Sequence, residues 1–136
     1  MVDTGVILHA TCVAIAWRGV LITGPSGSGK SSLALQLMSL GAALVSDDRT
    51  VLHREEGALI AAAPAAIAGM IEARGVGILA AQHVDCVPLA VVIDLASIEV
   101  ERLPERHVLT VLDIELPCLH KVDAPYFPTA IYTYIK

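Results

Sequence analysis

The chain has 136 residues, 55% hydrophobic and 17% charged, which suits one folded domain (1–136) and excludes a disordered tail. A formal charge of −5 with no run of Lys or Arg excludes an extended nucleic-acid surface. Arg, Asp, His or Glu interrupts every apolar run before the roughly 18 residues a spanning helix needs, so no membrane partner is expected and the apolar content reads as buried strands.

The N-terminus, Met1 to Gly5, lacks the basic start of a secretory signal, so cytoplasmic residence is expected. Val6 to Ala16 is β-branched and mostly apolar and predicts one buried strand, with Trp17-Arg18-Gly19 turning the chain. Val20-Leu21-Ile22-Thr23 predicts a second strand that runs into a glycine-rich loop. Beyond that loop Leu33, Ala34, Leu37 and Leu40 recur at helical spacing and Gly41 supplies a stop. Ala42-Ala43-Leu44-Val45 predicts a further strand ending at Ser46-Asp47-Asp48. Thr50–Arg54 and Ala58–Ile60, joined by Glu55-Glu56-Gly57, have the form of a β-hairpin. Pro64 predicts a short helical stretch to about Met70, because proline is tolerated in a first turn. Val87–Leu95 and Val108–Ile114 predict strands, and the proline-containing segment 116–136 has no clear pattern. Three cysteines, Cys12, Cys86 and Cys118, lack CxxC spacing and read as buried spectator thiols. The fold expected is α/β, a single domain with a β-rich central sheet and flanking helices.

The loop Gly24-Pro25-Ser26-Gly27-Ser28-Gly29-Lys30-Ser31 matches G-x-x-x-x-G-K-[ST] in full, between a strand and a helix. In that context glycines let backbone N–H groups turn around phosphate oxygens, and the helix presents its positive end to the same anion. Lys30 would reach the terminal phosphates of a nucleotide and Ser31 would offer its hydroxyl to Mg²⁺. The pair Asp47-Asp48 ends the next predicted strand, the edge where ligands of open α/β sheets bind, and phosphoryl transfer needs carboxylates there. Neighbouring strand residues point to opposite faces, so one carboxylate would face the nucleotide and the other the scaffold. Glu72 and Arg74, beside Gly75 and Gly77, suggest a close-approach loop where a carboxylate meets metal and a guanidinium meets phosphate, against a plain surface ion pair.

These residues resemble the catalytic domain of the HPr kinase/phosphorylase family in its short form. His9 stands 21 residues before Lys30, the loop is similar to G-x-S-G-x-G-K-S, Leu44-Val45-Ser46-Asp47-Asp48 is similar to a strand-plus-Asp-Asp element, and Ile71-Glu72-Ala73-Arg74-Gly75-Val76-Gly77-Ile78 resembles I-E-x-R-G-[LV]-G-I. The resemblance runs from residue 9 to 103. It implies a P-loop-containing fold like that of HPr kinase and phosphoenolpyruvate carboxykinase. It also implies an ATP- and Mg²⁺-dependent kinase acting on a serine of the phosphocarrier protein HPr, with phosphate or pyrophosphate serving the reverse reaction, and a homo-oligomer. By the same resemblance Asp47 is the proton acceptor; Ser31 and Glu72 are Mg²⁺ ligands with Asp48 close by; His9 and Lys30 surround the transferred phosphate; and Arg102 stabilises its charge. Ser32 stands where the family carries an acidic residue. A P-loop kinase of a small metabolite and a nucleotide-sensing module without turnover remain the alternatives.

Overall fold

Strands that are apolar at every position must be covered on both faces, and this requirement organises the molecule. A computed structural model describes residues 5–136. In chain order its elements are β1 (Val6–Leu8), β2 (Ala10–Ile15), β3 (Arg18–Thr23), α1 (Lys30–Ser39), β4 (Ala43–Ser46), β5 (Thr50–Glu55), β6 (Ala58–Ala62), a 3₁₀ turn (Ala65–Ile67), β7 (Met70–Ala73), β8 (Gly77–Ala80), β9 (Cys86–Ile98), β10 (His107–Val111), β11 (Ile114–Lys121) and α2 (Phe127–Ile135).

Strand β9 is the spine. Its first residues, Cys86–Pro88, pair antiparallel with β6, while Leu89–Asp94 pair parallel with β3 and Val92 onward with β11. One sheet therefore runs β1-β5-β6-β9-β3-β2-β4, and β11 and β10 extend it beyond β9. The two wings fold over one another, because alternate residues of the shared strands enter two different cores. Val13, Ile15, Val20, Ile22, Val91 and Ile93 pack with Leu33 and Leu37 of α1 and Phe127 and Ile131 of α2. Cys12, Ala14, Leu21 and Val92 pack instead with Leu52, Leu59 and Val87 of the other wing. Every residue of β2 is buried as a result.

Local differences from the sequence reading have physical causes. The run Val6–Ala16 is two strands, since β1 pairs with β5 and β2 with β3 and β4, and the chain changes partners at His9. The turn after β2 is centred on Ala16 and Trp17, whose φ values are 50° and 64°, so Arg18 and Gly19 already belong to β3. The run Val108–Ile114 is likewise a hairpin, folded at Leu112 and Asp113 with φ of 49° and 63°. Both turns put non-glycine residues in the left-handed region, where the usual hairpin signal is absent. The helical stretch after Pro64 is only the 3₁₀ turn, and Met70 begins β7. Leu40 caps α1 rather than packing within it. Segment 116–136 resolves into most of β11 and into α2, which carries Pro128 in its first turn. The described fold is α/β, a large mixed sheet with two helices. No helix among the described residues is long and apolar enough to cross a membrane.

Candidate active site

Strand β3 is buried at Gly19–Ile22 and delivers the chain into loop 24–29 at the carboxyl edge of the sheet. A side chain at Gly24 would place its Cβ 2.6 Å from Ser28 Oγ and 3.1 Å from Leu95 Cβ, and φ there is 150°. Gly29 caps α1 at φ 100°, a left-handed turn that L-residues rarely adopt. The loop therefore closes on itself by glycine at its two ends. Ser28 N–H donates to Pro25 O at 3.0 Å, and Leu33 N–H to Gly29 O at 2.9 Å. Lys30 is buried, its Nζ donating to the carbonyls of Gly24 (2.9 Å) and Pro25 (3.3 Å). Ser28 Oγ, buried in the loop, has no hydrogen-bond partner.

The chain after β4 turns so tightly that the two aspartates part company. Arg49 N–H donates to Asp47 O at 2.7 Å, Ser46 Oγ bonds Arg49 O, and Asp48 adopts φ 66°, a left-handed conformation that aspartate tolerates. Asp47 points inward and is 9% exposed. Its Oδ1 accepts from Ser31 Oγ (2.6 Å) and Thr11 Oγ1 (3.2 Å), and its Oδ2 from the backbone N–H of Glu72 (3.0 Å). Asp48 is exposed, its side chain 56% accessible, and its Oδ1 lies 2.7 Å from His9 Nε2. Thr11 ties the pair together, because its hydroxyl oxygen also accepts from Asp48 N–H at 3.1 Å.

These groups border a cleft of about 710 Å³. Loop residues Ser26, Gly27 and Gly29 with Lys30 and Ser31 form one side, Asp47, Asp48 and Arg49 the floor, and Glu72, Arg74 and Ile78 of the β7–β8 hairpin the far side. The segment around Glu72 is thus a hairpin and not a plain loop, with Ala73 paired opposite Gly77 and Val76 N–H donating to Ala73 O at 2.9 Å. Within β7 Glu72 is exposed between the buried Ile71 and Ala73, and both Glu72 and Arg74, the next residue after the strand, line the cleft.

Of the residues singled out in sequence, Lys30, Ser31, Asp47, Asp48 and Glu72 share the cleft, as do Ser26, Gly27 and Gly29 of the loop. Gly24, Pro25 and Ser28 lie behind it, in the loop's base. His9 reaches the cleft through Asp48. Arg102 does not join them: it is exposed in the segment after β9 and does not line the cleft. Arg49 and Arg74 are the guanidinium groups that do. Thr11 escaped notice in the sequence, although a hydroxyl within an otherwise apolar strand, two residues after His9, was a usable signal. The expected assignment gave Asp47 the proton-accepting role; the structure occupies its oxygens with three donors and leaves Asp48 facing solvent. No cysteine lines the cleft; Cys12 and Cys118 are buried as expected, whereas Cys86, at the start of β9, is exposed. Burial pushes Cys12 well above the usual thiol range and raises Cys118 as well.

The sequence model of a family described as HPr Serine kinase C-terminal domain matches residues 2–115. An HPr kinase/phosphorylase of Clostridium botulinum (strain Eklund 17B / Type B) is 43% identical over 72 residues, covering 53% of this chain and 24% of that protein. An HPr kinase/phosphorylase of Geobacillus thermodenitrificans is 38% identical over 125 residues, covering 82% of this chain and 40% of that protein. These matches therefore span well under half the length of either relative. Among solved structures, the HPr(Ser) kinase/phosphatase from Coxiella burnetii superposes with a TM-score of 0.80 at 28% identity, over 95% of this chain and 93% of that one.

Proposed function

The chain belongs to the HPr serine kinase C-terminal domain family, and we propose that it transfers the γ-phosphoryl group of ATP to a serine hydroxyl of an HPr-type phosphocarrier protein. The observation that carries this reading is the convergence, in one cleft, of a glycine-closed loop, Lys30, Ser31, an exposed carboxylate at Asp48 and a second at Glu72. Such a set does little covalent chemistry of its own. It binds phosphates, holds the acceptor oxygen in line and meets developing charge, which is what phosphoryl transfer requires.

The amides of loop 27–31 and the amino end of α1 receive the phosphates. Lys30 then exchanges its bonds to Gly24 O and Pro25 O for phosphate oxygens. Asp48 takes the proton from the attacking serine hydroxyl, because it is the accessible carboxylate of the pair and His9 orients it. Asp47 is a positioning residue: by accepting from Ser31 and from the Glu72 amide it sets the helix start and the hairpin at a fixed separation. Arg49 and Arg74 on the cleft wall offer guanidinium donors to the transferring group. In the reverse direction Asp48 returns the proton to the serine oxygen while phosphate accepts the phosphoryl group, giving pyrophosphate.

The oxygen donors of Ser31, Asp48 and Glu72 are hard ligands of the kind Mg²⁺ prefers, and all three line the same cleft, so the residues fit that ion. Mg²⁺ held by these residues would supply charge neutralisation for phosphoryl transfer. A protein acceptor fits better than a buried metabolite because the hairpin beside the cleft exposes Met70, Val76, Ile78 and Leu79, an apolar surface adjoining the reaction site.

Labelled ATP, Mg²⁺ and a purified HPr-type protein test the proposal. Label is expected on a serine of the phosphocarrier, with transfer lost in Asp48→Asn while ATP binding persists. Undiminished transfer by that variant would remove the assigned base, and absence of transfer by the wild type to any HPr-type protein would overturn the reading.

A further inference from the structure

We propose a second metal site, independent of the phosphoryl-transfer reading, in which Glu99, His107 and His120 bind a divalent transition ion of the Zn²⁺ type. None of the three lines the cleft. They come from three neighbouring strands: Glu99 directly follows β9, His107 opens β10, and His120 is the penultimate residue of β11. Strand register brings them together. His107 stands opposite Cys118, so His120, two residues further along β11, is its diagonal neighbour on the same face. The irregularity between His120 and Lys121 shifts β11 against β9 and brings its end to Ile98, beside Glu99, whose N–H donates to Lys121 O at 2.8 Å.

The three ligand atoms lie within 4.8 Å of one another. His107 Nε2 is 2.8 Å and His120 Nδ1 4.0 Å from Glu99 Oε1. In a tetrahedral zinc site with bonds of about 2.0–2.1 Å, ligand atoms sit about 3.4 Å apart, so these separations bracket the required value. The carboxylate is already held for the task. Glu99 Oε2 accepts from the N–H groups of Val100 (3.1 Å) and Glu101 (3.2 Å), which leaves Oε1 directed at the imidazoles. Outer-shell bonds of this type fix a ligand's orientation before the ion arrives. The two rings are stacked, centroids 3.8 Å apart and planes 11° from parallel. A stacked lone pair does not point at an ion between the rings, so binding turns one imidazole about its Cβ–Cγ bond. Side-chain exposures of 32% and 24% leave room for that rotation and a route of entry. Two imidazoles and one carboxylate select Zn²⁺, Co²⁺ or Ni²⁺ over Mg²⁺ and Ca²⁺, and three protein ligands leave one position for water. The ion would clip β10 and β11 to the end of β9.

The test is titration of the metal-free full chain with Co²⁺, followed by its visible absorption, with Zn²⁺ as competitor. One equivalent is expected, displaced by Zn²⁺, with affinity lowered about tenfold or more in Glu99→Gln, His107→Ala and His120→Ala and unchanged in His53→Ala, which belongs to neither this cluster nor the cleft. Zinc-edge X-ray absorption of the wild type, which needs no variant to fold, is expected to report two imidazole nitrogens. An all-oxygen shell, no saturable binding at micromolar ion, or binding that survives both histidine substitutions would each overturn the site.

Discussion

Asp47→Asn and Asp48→Asn are chemically identical changes at adjacent positions, yet the structure assigns them opposite consequences. Asp47 is buried and accepts three hydrogen bonds. A bond to a charged acceptor contributes about 1.5–3 kcal/mol against about 0.5–1.5 for a neutral one, so converting the two bonds from Ser31 and Thr11 costs about 2 kcal/mol. The other oxygen, Oδ2, becomes an NH₂ group facing the Glu72 N–H, donor against donor, and a buried unpaired donor adds about 1–3 kcal/mol. Allowing for reorientation of the hydroxyls, Asp47→Asn is expected to lose about 3 kcal/mol, or about 10 °C in Tm for a chain of this size. Asp48 is half exposed and sits in the left-handed region, which asparagine accepts as readily, so Asp48→Asn is expected to change stability by less than about 0.5 kcal/mol. Its deficit should appear in catalysis, at about 10²–10⁴-fold in the rate of phosphoryl transfer. Thermal melts alongside single-turnover transfer distinguish the two. Equal melting of both variants, or full transfer by Asp48→Asn, would refute the division of roles.

Lys30→Ala removes the buried ammonium from the loop and is expected to weaken ATP binding at least tenfold by calorimetry as well as abolish turnover. Leu37, fully buried where α1 meets the sheet and α2, should cost about 2–5 kcal/mol on substitution by alanine, read as a denaturant midpoint shift with unchanged m-value. The hydrogen bond from His107, then those from the backbone, hold Glu99 below the usual carboxylate range. A folded value below the unfolded one gives stability that is present above the unfolded value and lost as pH falls through the folded one. In metal-free protein the Tm difference between wild type and Glu99→Gln should accordingly shrink as pH falls from neutral through and below the usual carboxylate range.

Legibility in the sequence followed the range of the interactions. The strand, loop and helix around Lys30 were readable because glycine positions and helical spacing are local. The Glu56-Gly57 turn of the β5–β6 hairpin was readable for the same reason. The hairpin at Leu112-Asp113 was not, since its left-handed residues carry no glycine and continuous apolar runs hide a change of strand. Nor could adjacent aspartates be told apart by spacing: which of them turns inward depends on Thr11, 36 residues away, and on the Ser46–Arg49 turn. The proximity of His107 and His120 arises from strand register and ring stacking, which spacing along the chain does not carry. Arg102 was singled out by resemblance, whereas the geometry puts Arg49 and Arg74 on the cleft.

The central claim is that loop 24–31 is shaped for the phosphates of a nucleoside triphosphate. Titrating ATP with Mg²⁺ into isotope-labelled protein and following the backbone amide resonances tests it most directly. Saturable shifts concentrated at Gly27, Ser28, Gly29, Lys30 and Ser31 are the expected result. Amides of this loop that stay in place at millimolar ATP would contradict it.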